Sequence, residues 1–331
     1  MRPRYRLPPT LWLMTEIVSA VDLAISRTLN PAAIGWSRRP VHRTALPWTG
    51  RVKRWEYWGI ITRRYVLGLT MADLDYAHLT QVYVYDRHRK VEVVEDSVGA
   101  GPMRPGLSDE LPPITATGGP LTFTDHGRGT RITVETERVK VALEVEGGGD
   151  CLGVVVPWNR RRFQYTVKDL ARPVSGTISV DGEREAVIAG WGVLDRGRGV
   201  WPYRMKWNWG AGSGNVGGKR IGLQLGGKWT DGTGQTENGL IVDGRLTHWI
   251  DDLQWAYDLQ DPQSTWTVVG PDVEAVLTPF HRRVAKTQLG VIASKTHQAF
   301  GHWSGWARGS KGVEYRLDGL LGWAEEARNR W

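Results

Sequence analysis

Residues Gly176–Ala189, GTISVDGEREAVIA, place two short β-prone runs on either side of Asp181-Gly182. An Asp-Gly pair favours the tight turn of a two-residue β-hairpin, because both of its residues tolerate positive φ angles. A second such pair, Asp243-Gly244, lies between Leu240–Val242 and Arg245–Ile250. The two turns predict antiparallel strands that pair with their neighbours along the chain.

Short strands are predicted on both sides of these hairpins. Apolar and polar residues alternate in Thr130–Glu137 and in Arg138–Glu146, a pattern typical of strands with one buried face. Many short strands with close turns and few long helices indicate an all-β, mainly antiparallel fold. We expect two β-barrel halves, with the first at residues 49–168 and the second at 169–331.

Residues 1–48 are expected to form an N-terminal helix and arm. Small and apolar residues recur at roughly helical spacing over Thr10–Leu29, which predicts an amphipathic helix that docks onto the body: Leu13, Ile17, Ala20, Ala24 and Thr28. Glu16, Asp22 and Arg27 make this segment too polar to span a bilayer. Because no signal peptide is evident, we expect a cytoplasmic protein.

A ligand site is indicated by Trp191–Gly210, WGVLDRGRGVWPYRMKWNWG. This stretch interleaves indoles with charges: Trp191, Trp201, Trp207 and Trp209 with Asp195, Arg196, Arg198, Arg204 and Lys206. Buried charges need partners, and polar groups walled by aromatic rings are typical of a ligand pocket. In a strand, Trp207 and Trp209 share one face and Asn208 points away. We predict that this face meets the cavity together with Arg204 or Glu237.

Asp195 is the first catalytic candidate. Arg196 and Arg198 could tune it as an acid or base, although adjacent guanidinium groups lower the pKa of an aspartate. Alternatively, the three residues form a structural ion-pair cluster that closes a barrel end. Arg204 could bind an anionic head group, and Arg196, Arg198 and Asn238 are further candidate ligand-binding residues.

Glu237 is the better candidate for a general acid. A carboxyl in a mostly apolar pocket keeps its proton near neutral pH and can donate it. Glu237 and Asn238 could instead satisfy local N–H groups in a turn. We predict that Asp195, Arg198 and Glu237 form one polar cluster. His302 could reach the pocket as a third catalytic residue or be a core or rim histidine.

Composition argues against other classes of function. The net charge is +8, with 18 Trp against 4 Phe, but no nucleic-acid-binding motif accompanies the basic residues. Nucleic acid is therefore not expected. The positive charge is compatible with peripheral contact with an anionic membrane. The single Cys and the spacing of the eight His predict no metal site. The glycine-rich loop Gly210–Gly218 lacks the G-x-x-x-x-G-K-S/T pattern, and no cofactor is expected.

A series of unusual motifs recurs in order along the chain: WEYW at 55–58, ADLDY at 72–76, FQYTVK at 163–168, DRGRG at 195–199, WNW at 207–209, TENG at 236–239 and FGHWSG at 300–305. From residue 30 to 331 the chain resembles the bacterial domain of unknown function 2804 family. A remoter resemblance is to carotenoid 1,2-hydratase, tocopherol cyclase and AttH-like proteins. That resemblance implies two lipocalin-like β-barrels.

Two functions remain open at this point. One is a cofactor-independent enzyme that binds an apolar ligand, such as a lipid, an isoprenoid or a polyketide, in a Trp-lined pocket inside a β-barrel and hydrates, cyclises or isomerises it by acid catalysis. The other is a non-catalytic carrier of a hydrophobic ligand, which needs only shape and an anchoring cation. The sequence leaves the oligomeric state open.

Overall fold

The computed structural model describes residues 15–48, 50–100, 104–289 and 292–330. Over these ranges the chain is almost entirely β, with two short 3₁₀ helices at Pro31–Ala33 and Ser310–Gly312. The predicted all-β, mainly antiparallel class is confirmed. No helix in the described ranges is long and apolar enough to cross a membrane.

The strands fall into two groups along the chain. The first group is β1 (Val21–Asp22), β2 (Ala24–Ile25), β3 (Thr28–Leu29), β4 (Trp36–Ser37), β5 (His42–Arg43), β6 (Val52–Thr62), β7 (Tyr65–Asp73), β8 (His78–Asp86), β9 (Val91–Gly99), β10 (Thr115–Gly118), β11 (Leu121–Asp125), β12 (Gly129–Glu135), β13 (Val139–Glu146), β14 (Leu152–Asn159), β15 (Arg162–Val180) and β16 (Glu183–Val200). The second group is β17 (Arg204–Val216), β18 (Lys219–Gly227), β19 (Asn238–Val242), β20 (Arg245–Trp249), β21 (Gln254–Ala256), β22 (Trp266–Gly270), β23 (Val273–Leu289), β24 (Ile292–Arg308), β25 (Glu314–Arg316) and β26 (Leu320–Arg330).

Two antiparallel sheets contain most of these strands. The first sheet has the order β10-β11-β12-β13-β15-β16-β6-β7-β8-β9, with β14 on β15 and β4 on β14. The second sheet has the order β20-β19-β18-β17-β26-β24-β23-β22-β21, with β25 on β24. The sheets change between Val200 and Arg204. The boundary placed at residues 168–169 falls inside β15, because β15 and β16 run on as long strands.

Each sheet curls into a half-barrel around its own apolar core. A Cβ atom on Gly118 of β10 would lie 3.0 Å from Sδ of Met71 in β7, so distant strands of the first sheet approach each other. In the second sheet a Cβ atom on Gly210 of β17 would lie 3.1 Å from the ring of Trp255 in β21. Buried Leu, Val, Ile and aromatic side chains fill both interiors.

The two Asp-Gly hairpins form as the sequence predicts. Val180 pairs with Glu183 across Asp181-Gly182, whose φ angles are 50° and 83°. Val242 pairs with Arg245 across Asp243-Gly244, whose φ angles are 48° and 79°. Positive φ at both central positions is what a type I′ turn requires.

The helix predicted over Thr10–Leu29 is wrong for the part that the structure describes; residues 10–14 lie outside it. β2 and β3 form a hairpin, and β1 runs parallel to β5. Leu23 N donates to Arg43 O at 2.9 Å, so pairing with the following arm satisfies the backbone. Leu23 and Leu29, which lie outside the predicted stripe, are the leucines that enter the core.

Candidate functional site

A cavity of about 310 Å³ lies between the two half-barrels. The first sheet contributes side chains from β6, β7, β8, β9, β15 and β16, and the second contributes them from β17, β23, β24 and β26. The cavity is therefore lined by the outer faces of both sheets, whereas each half-barrel interior is filled by its own core. The sequence predicted a pocket inside a barrel instead.

Two rows of side chains, one from each sheet, form what we call the polar floor of the cavity. In the first sheet, strand register aligns Lys168, Asp195, Tyr57, Thr70 and Gln81. In the second sheet, register aligns Trp209, Glu325, Gln298 and Arg283. Above the floor the walls are mainly apolar and include Trp55, Ala72, Leu79 and Trp207.

The alternation of the DRGRG motif at 195–199 explains which of its residues reach the cavity. Because successive side chains of a strand point to opposite faces, Asp195, Gly197 and Gly199 face the cavity, whereas the two arginines face the interior of the first half-barrel. Trp55 lies over Gly197, where a Cβ atom would be 2.1 Å from its ring. The motif thus combines one carboxylate with bare backbone that an indole covers.

Lys168 is the centre of the charged part of the floor. Its Nζ lies 3.0 Å from Oδ1 of Asp195 and 3.5 Å from Oε2 of Glu237. It also lies 4.1 Å from the centroid of the Trp209 ring, within cation–π range. Burial opposes the charge on Lys168, but Asp195 and Glu237 outweigh it and raise the pKa of the lysine. Lys168 is therefore a buried ammonium that links two carboxyl groups.

Glu237 is 1% exposed and reaches the cavity from the loop before β19. Its Oε1 accepts a hydrogen bond from Nε1 of Trp229 at 2.6 Å, whereas its buried Oε2 has no hydrogen-bond partner among the described residues. Gly226 makes room for it, since a Cβ atom there would lie 2.3 Å from Cγ of Glu237. Burial raises the pKa of Glu237 to about 7 against the opposing charge of Lys168, and Asp195 adds to the rise.

Glu325 is a second buried acid in the floor. Its Oε1 accepts from Nε1 of Trp207 at 3.0 Å, and its Oε2 accepts from Nε2 of Gln298 at 3.1 Å. Burial raises its pKa to about 7, although the hydrogen bond from Trp207 and the charge of Lys168 both oppose this rise. Both of its oxygens accept hydrogen bonds, whereas in Glu237 only Oε1 does.

The model of the family described as domain of unknown function DUF2804 matches residues 15–331. The chain belongs to the DUF2804 family. This agrees with the resemblance carried by the ordered motifs. Curated proteins give no significant sequence match.

Solved structures with a similar fold include an AttH candidate from Nitrosomonas europaea. It is 13% identical with a TM-score of 0.53, and the match covers 84% of this chain and 92% of that one. Kievitone hydratase from Nectria haematococca is 10% identical with a TM-score of 0.51, covering 85% of this chain and 89% of that one. At these identities the likeness extends to the fold alone.

Five of the residues singled out from the sequence line the cavity of this DUF2804 protein: Asp195, Trp201, Trp207, Trp209 and Glu237. Arg198 does not join the cluster predicted for it with Asp195 and Glu237, because it lies on the opposite face of β16. Lys168 joins the two carboxyl groups instead. Arg198 is fully buried and donates to Trp55 O and Ser108 O, and burial lowers its pKa to about 9. Arg196 likewise donates to Ser108 O.

The other three predicted residues lie away from the cavity wall. Arg204 is exposed at the start of β17. Asn238 is buried, but its side chain accepts from Gly226 N and donates to Asp251 O. His302 is largely exposed on β24, where its ring packs beside Phe280. This partial desolvation lowers its pKa, and the charge of Arg87 adds a smaller effect in the same direction.

The sequence interpretation missed Lys168, Glu325, Tyr57, Gln298 and Arg283. The spacing of apolar residues could have placed Lys168 on the same face as Thr166, but nothing in the sequence pairs β15 with the loop that carries Glu237. In the described ranges no group of three or more His, Cys, Asp or Glu side chains is arranged to hold a metal ion.

Proposed function

We propose that the protein binds an apolar, unsaturated small molecule between its half-barrels and catalyses a cofactor-independent hydration, cyclisation or isomerisation. Glu237 is the general acid. The observation that carries the proposal is the buried carboxyl of Glu237, which lines the cavity and whose Oε2 accepts no hydrogen bond among the described residues, although Nζ of Lys168 lies 3.5 Å away. A carboxyl whose pKa is about 7 is partly protonated at neutral pH and is strong enough to transfer that proton.

The first step transfers the Oε2 proton of Glu237 to one carbon of a C=C bond. The π electrons form the new C–H bond, and the neighbouring carbon becomes cationic. The indole of Trp207 lines this region and stabilises the cation through its π face, whereas the ring of Trp209 already faces the ammonium of Lys168. Lys168 and Asp195 position Glu237 rather than react.

The fate of the cation decides the reaction. Attack by water, followed by return of a proton to Glu237, gives hydration. Attack by an internal C=C or hydroxyl group closes a ring and leaves a cation or an oxonium ion, which loses a proton to Glu237 to give the cyclised product. Loss of a proton to Glu325 gives a shifted double bond. The fold of kievitone hydratase, named for a hydration, supports this class by analogy only.

The test uses small molecules extracted from the cells that make the protein. The extract is incubated with the protein in D₂O and then compared by mass spectrometry. We expect one compound to be consumed and its product to gain one non-exchangeable deuterium, or deuterium and one oxygen from labelled water. Glu237→Gln should lower this conversion at least about a hundredfold, because the amide cannot transfer a proton.

Glu326→Gln is the matched control. Glu326 follows Glu325 on β26, but its side chain bonds to Lys228 and Tyr257 on the other face of the sheet. The Glu326→Gln protein should convert the extract compound at the rate of the unmodified protein, provided that both variants are shown to fold. If a compound from the extract binds but is always recovered unlabelled, the protein is a carrier of that compound and the proposed catalysis is wrong.

A further inference from the structure

Arg283 lies at the end of the polar floor farthest from Lys168. Its Nη2 donates to Oε1 of Gln81 at 2.6 Å, and its Cζ lies 3.9 Å from the centroid of the Tyr83 ring. Its hydrogen-bond and ring partners among the described residues are thus a neutral amide and an aromatic face, and its charge also opposes the rise in the pKa of Glu325. Lys168, in contrast, meets two carboxyl groups. Stacking and the Gln81 bond hold the guanidinium plane in place, which prepares it to bind an oxygen anion.

The net charge of the cavity wall also favours binding of an anion. Among the described residues, three cationic side chains line the cavity, Lys53, Lys168 and Arg283, against three carboxyl groups, Asp195, Glu237 and Glu325. The wall is neutral when all six are ionised. It gains a net positive charge when Glu237 holds the proton that catalysis requires, and the raised pKa of Glu325 acts in the same direction. A buried charge needs a partner, so this state favours a ligand with a single negative charge.

We propose that Arg283 binds the carboxylate or enolate oxygen of the substrate, which is therefore an apolar unsaturated acid. This inference rests on the proposed function and adds the chemical class of the substrate. The floor row from Trp209 to Arg283 crosses β17, β26, β24 and β23. Three strand spacings along the sheet correspond to about 14 Å between the backbone positions of Trp209 and Arg283. The reacting double bond, next to Glu237, therefore lies toward the other end of the cavity from the anionic group.

The experiment compares two probes that differ only in the head group, dodecanoic acid and dodecan-1-ol. Their affinities are measured by isothermal titration calorimetry on the full chain at pH 6.0, where Glu237, with a pKa of about 7, is mostly protonated. We expect the acid to bind at least about tenfold more tightly than the alcohol, as for a hydrogen bond between charged groups. In Arg283→Gln the affinity for the acid should fall by about that factor, and the affinity for the alcohol should stay the same.

Arg184→Gln is the matched control. Arg184 is exposed on β16 near the Asp181-Gly182 turn, and its substitution removes the same charge without reaching the cavity. It should leave both affinities unchanged. Equal binding of the acid and the alcohol by the unmodified protein would overturn the inference. So would an Arg283→Gln protein that keeps the preference for the acid.

Arg283→Lys decides the matter if Arg283→Gln does not fold. This variant keeps the cation and should keep a reduced preference for the acid. Equal affinities of this variant for the acid and the alcohol would contradict anion binding by Arg283. Failure of the deuterium experiment leaves these affinities interpretable, because binding does not require turnover. Labelled product combined with no preference for the acid would overturn the role of Arg283 alone.

Discussion

Glu237 and Glu326 are both buried glutamates, yet their surroundings shift their pKa values in opposite directions. Burial raises the pKa of Glu237 to about 7, and Lys168 at 3.5 Å offsets this only in part. Burial also acts on Glu326, but hydrogen bonds from Lys228, Tyr257 and Arg328 outweigh it and lower the pKa to about 2. Of these two glutamates, only Glu237 therefore holds a proton to a substantial extent near neutral pH.

This contrast predicts a pH-dependent effect of Glu237→Gln on stability. Because the folded pKa of Glu237 lies above its ordinary value of 4.5, its favourable contribution is complete below pH 4.5 and is lost as the pH rises through 7. Glutamine does not titrate. The free energy of unfolding of Glu237→Gln relative to the unmodified protein should therefore increase between pH 5 and pH 8, by at most roughly 3 kcal/mol.

Urea unfolding at pH 5, 6, 7 and 8 measures this difference. Glu326→Gln is the control: its lowered pKa keeps Glu326 ionised in folded and unfolded chains over most of that range, so its effect on stability should be nearly constant. A Glu237→Gln curve that runs parallel to that of the unmodified protein would show that Glu237 titrates normally.

At the scale of the strand, β16 depends on glycine to admit an indole. A Cβ atom on Gly197 would lie 2.1 Å from the Trp55 ring. Gly197→Ala should therefore displace Trp55, lower the free energy of unfolding by about 1–3 kcal/mol and weaken binding of dodecanoic acid. Gly68→Ala on β7 is the comparison, because its Cβ atom would meet Tyr57 at an ordinary 3.4 Å. Similar losses of binding in both variants would contradict this account of β16.

The hairpins could be predicted from the sequence because an Asp-Gly turn is a local signal that fixes its own register. The N-terminal helix could not be excluded in the same way: its apolar spacing is local, but the pairing of Leu23 with Arg43 that replaces it is not. The same distinction between local and non-local signals applies to the residues of the site. Trp207 and Trp209 share a face by strand periodicity alone, whereas Lys168 meets Glu237 only because the second sheet packs on the first.

At the scale of the whole molecule, an apolar layer beneath the polar floor joins the half-barrels. Trp323 of β26 is 1% exposed and packs over Gly59 of β6, where a Cβ atom would lie 2.4 Å from its ring. The Trp323 ring also meets Trp209 edge to face, with centroids 5.1 Å apart. The cavity therefore exists only while this layer keeps the two sheets together.

Trp323→Ala should consequently loosen both sheets and abolish the cavity. We expect a loss of about 3–5 kcal/mol from the free energy of unfolding. Hydrogen exchange should quicken in β6 and β7 of the first sheet as well as in β17 and β26 of the second, and dodecanoic acid should no longer bind. Hydrogen–deuterium exchange followed by mass spectrometry on the native protein resolves these strands.

Trp266→Ala separates this effect from simple loss of a large core residue. Trp266 is also 1% exposed, but it stacks on Tyr257 inside the second half-barrel, with centroids 4.0 Å apart. Its removal should quicken exchange in β22 and β23 while β6 and β7 stay protected, because the layer between the sheets is intact. If Trp323→Ala also left β6 and β7 protected, the half-barrels would be independent units, and a site built from both would lose its structural basis.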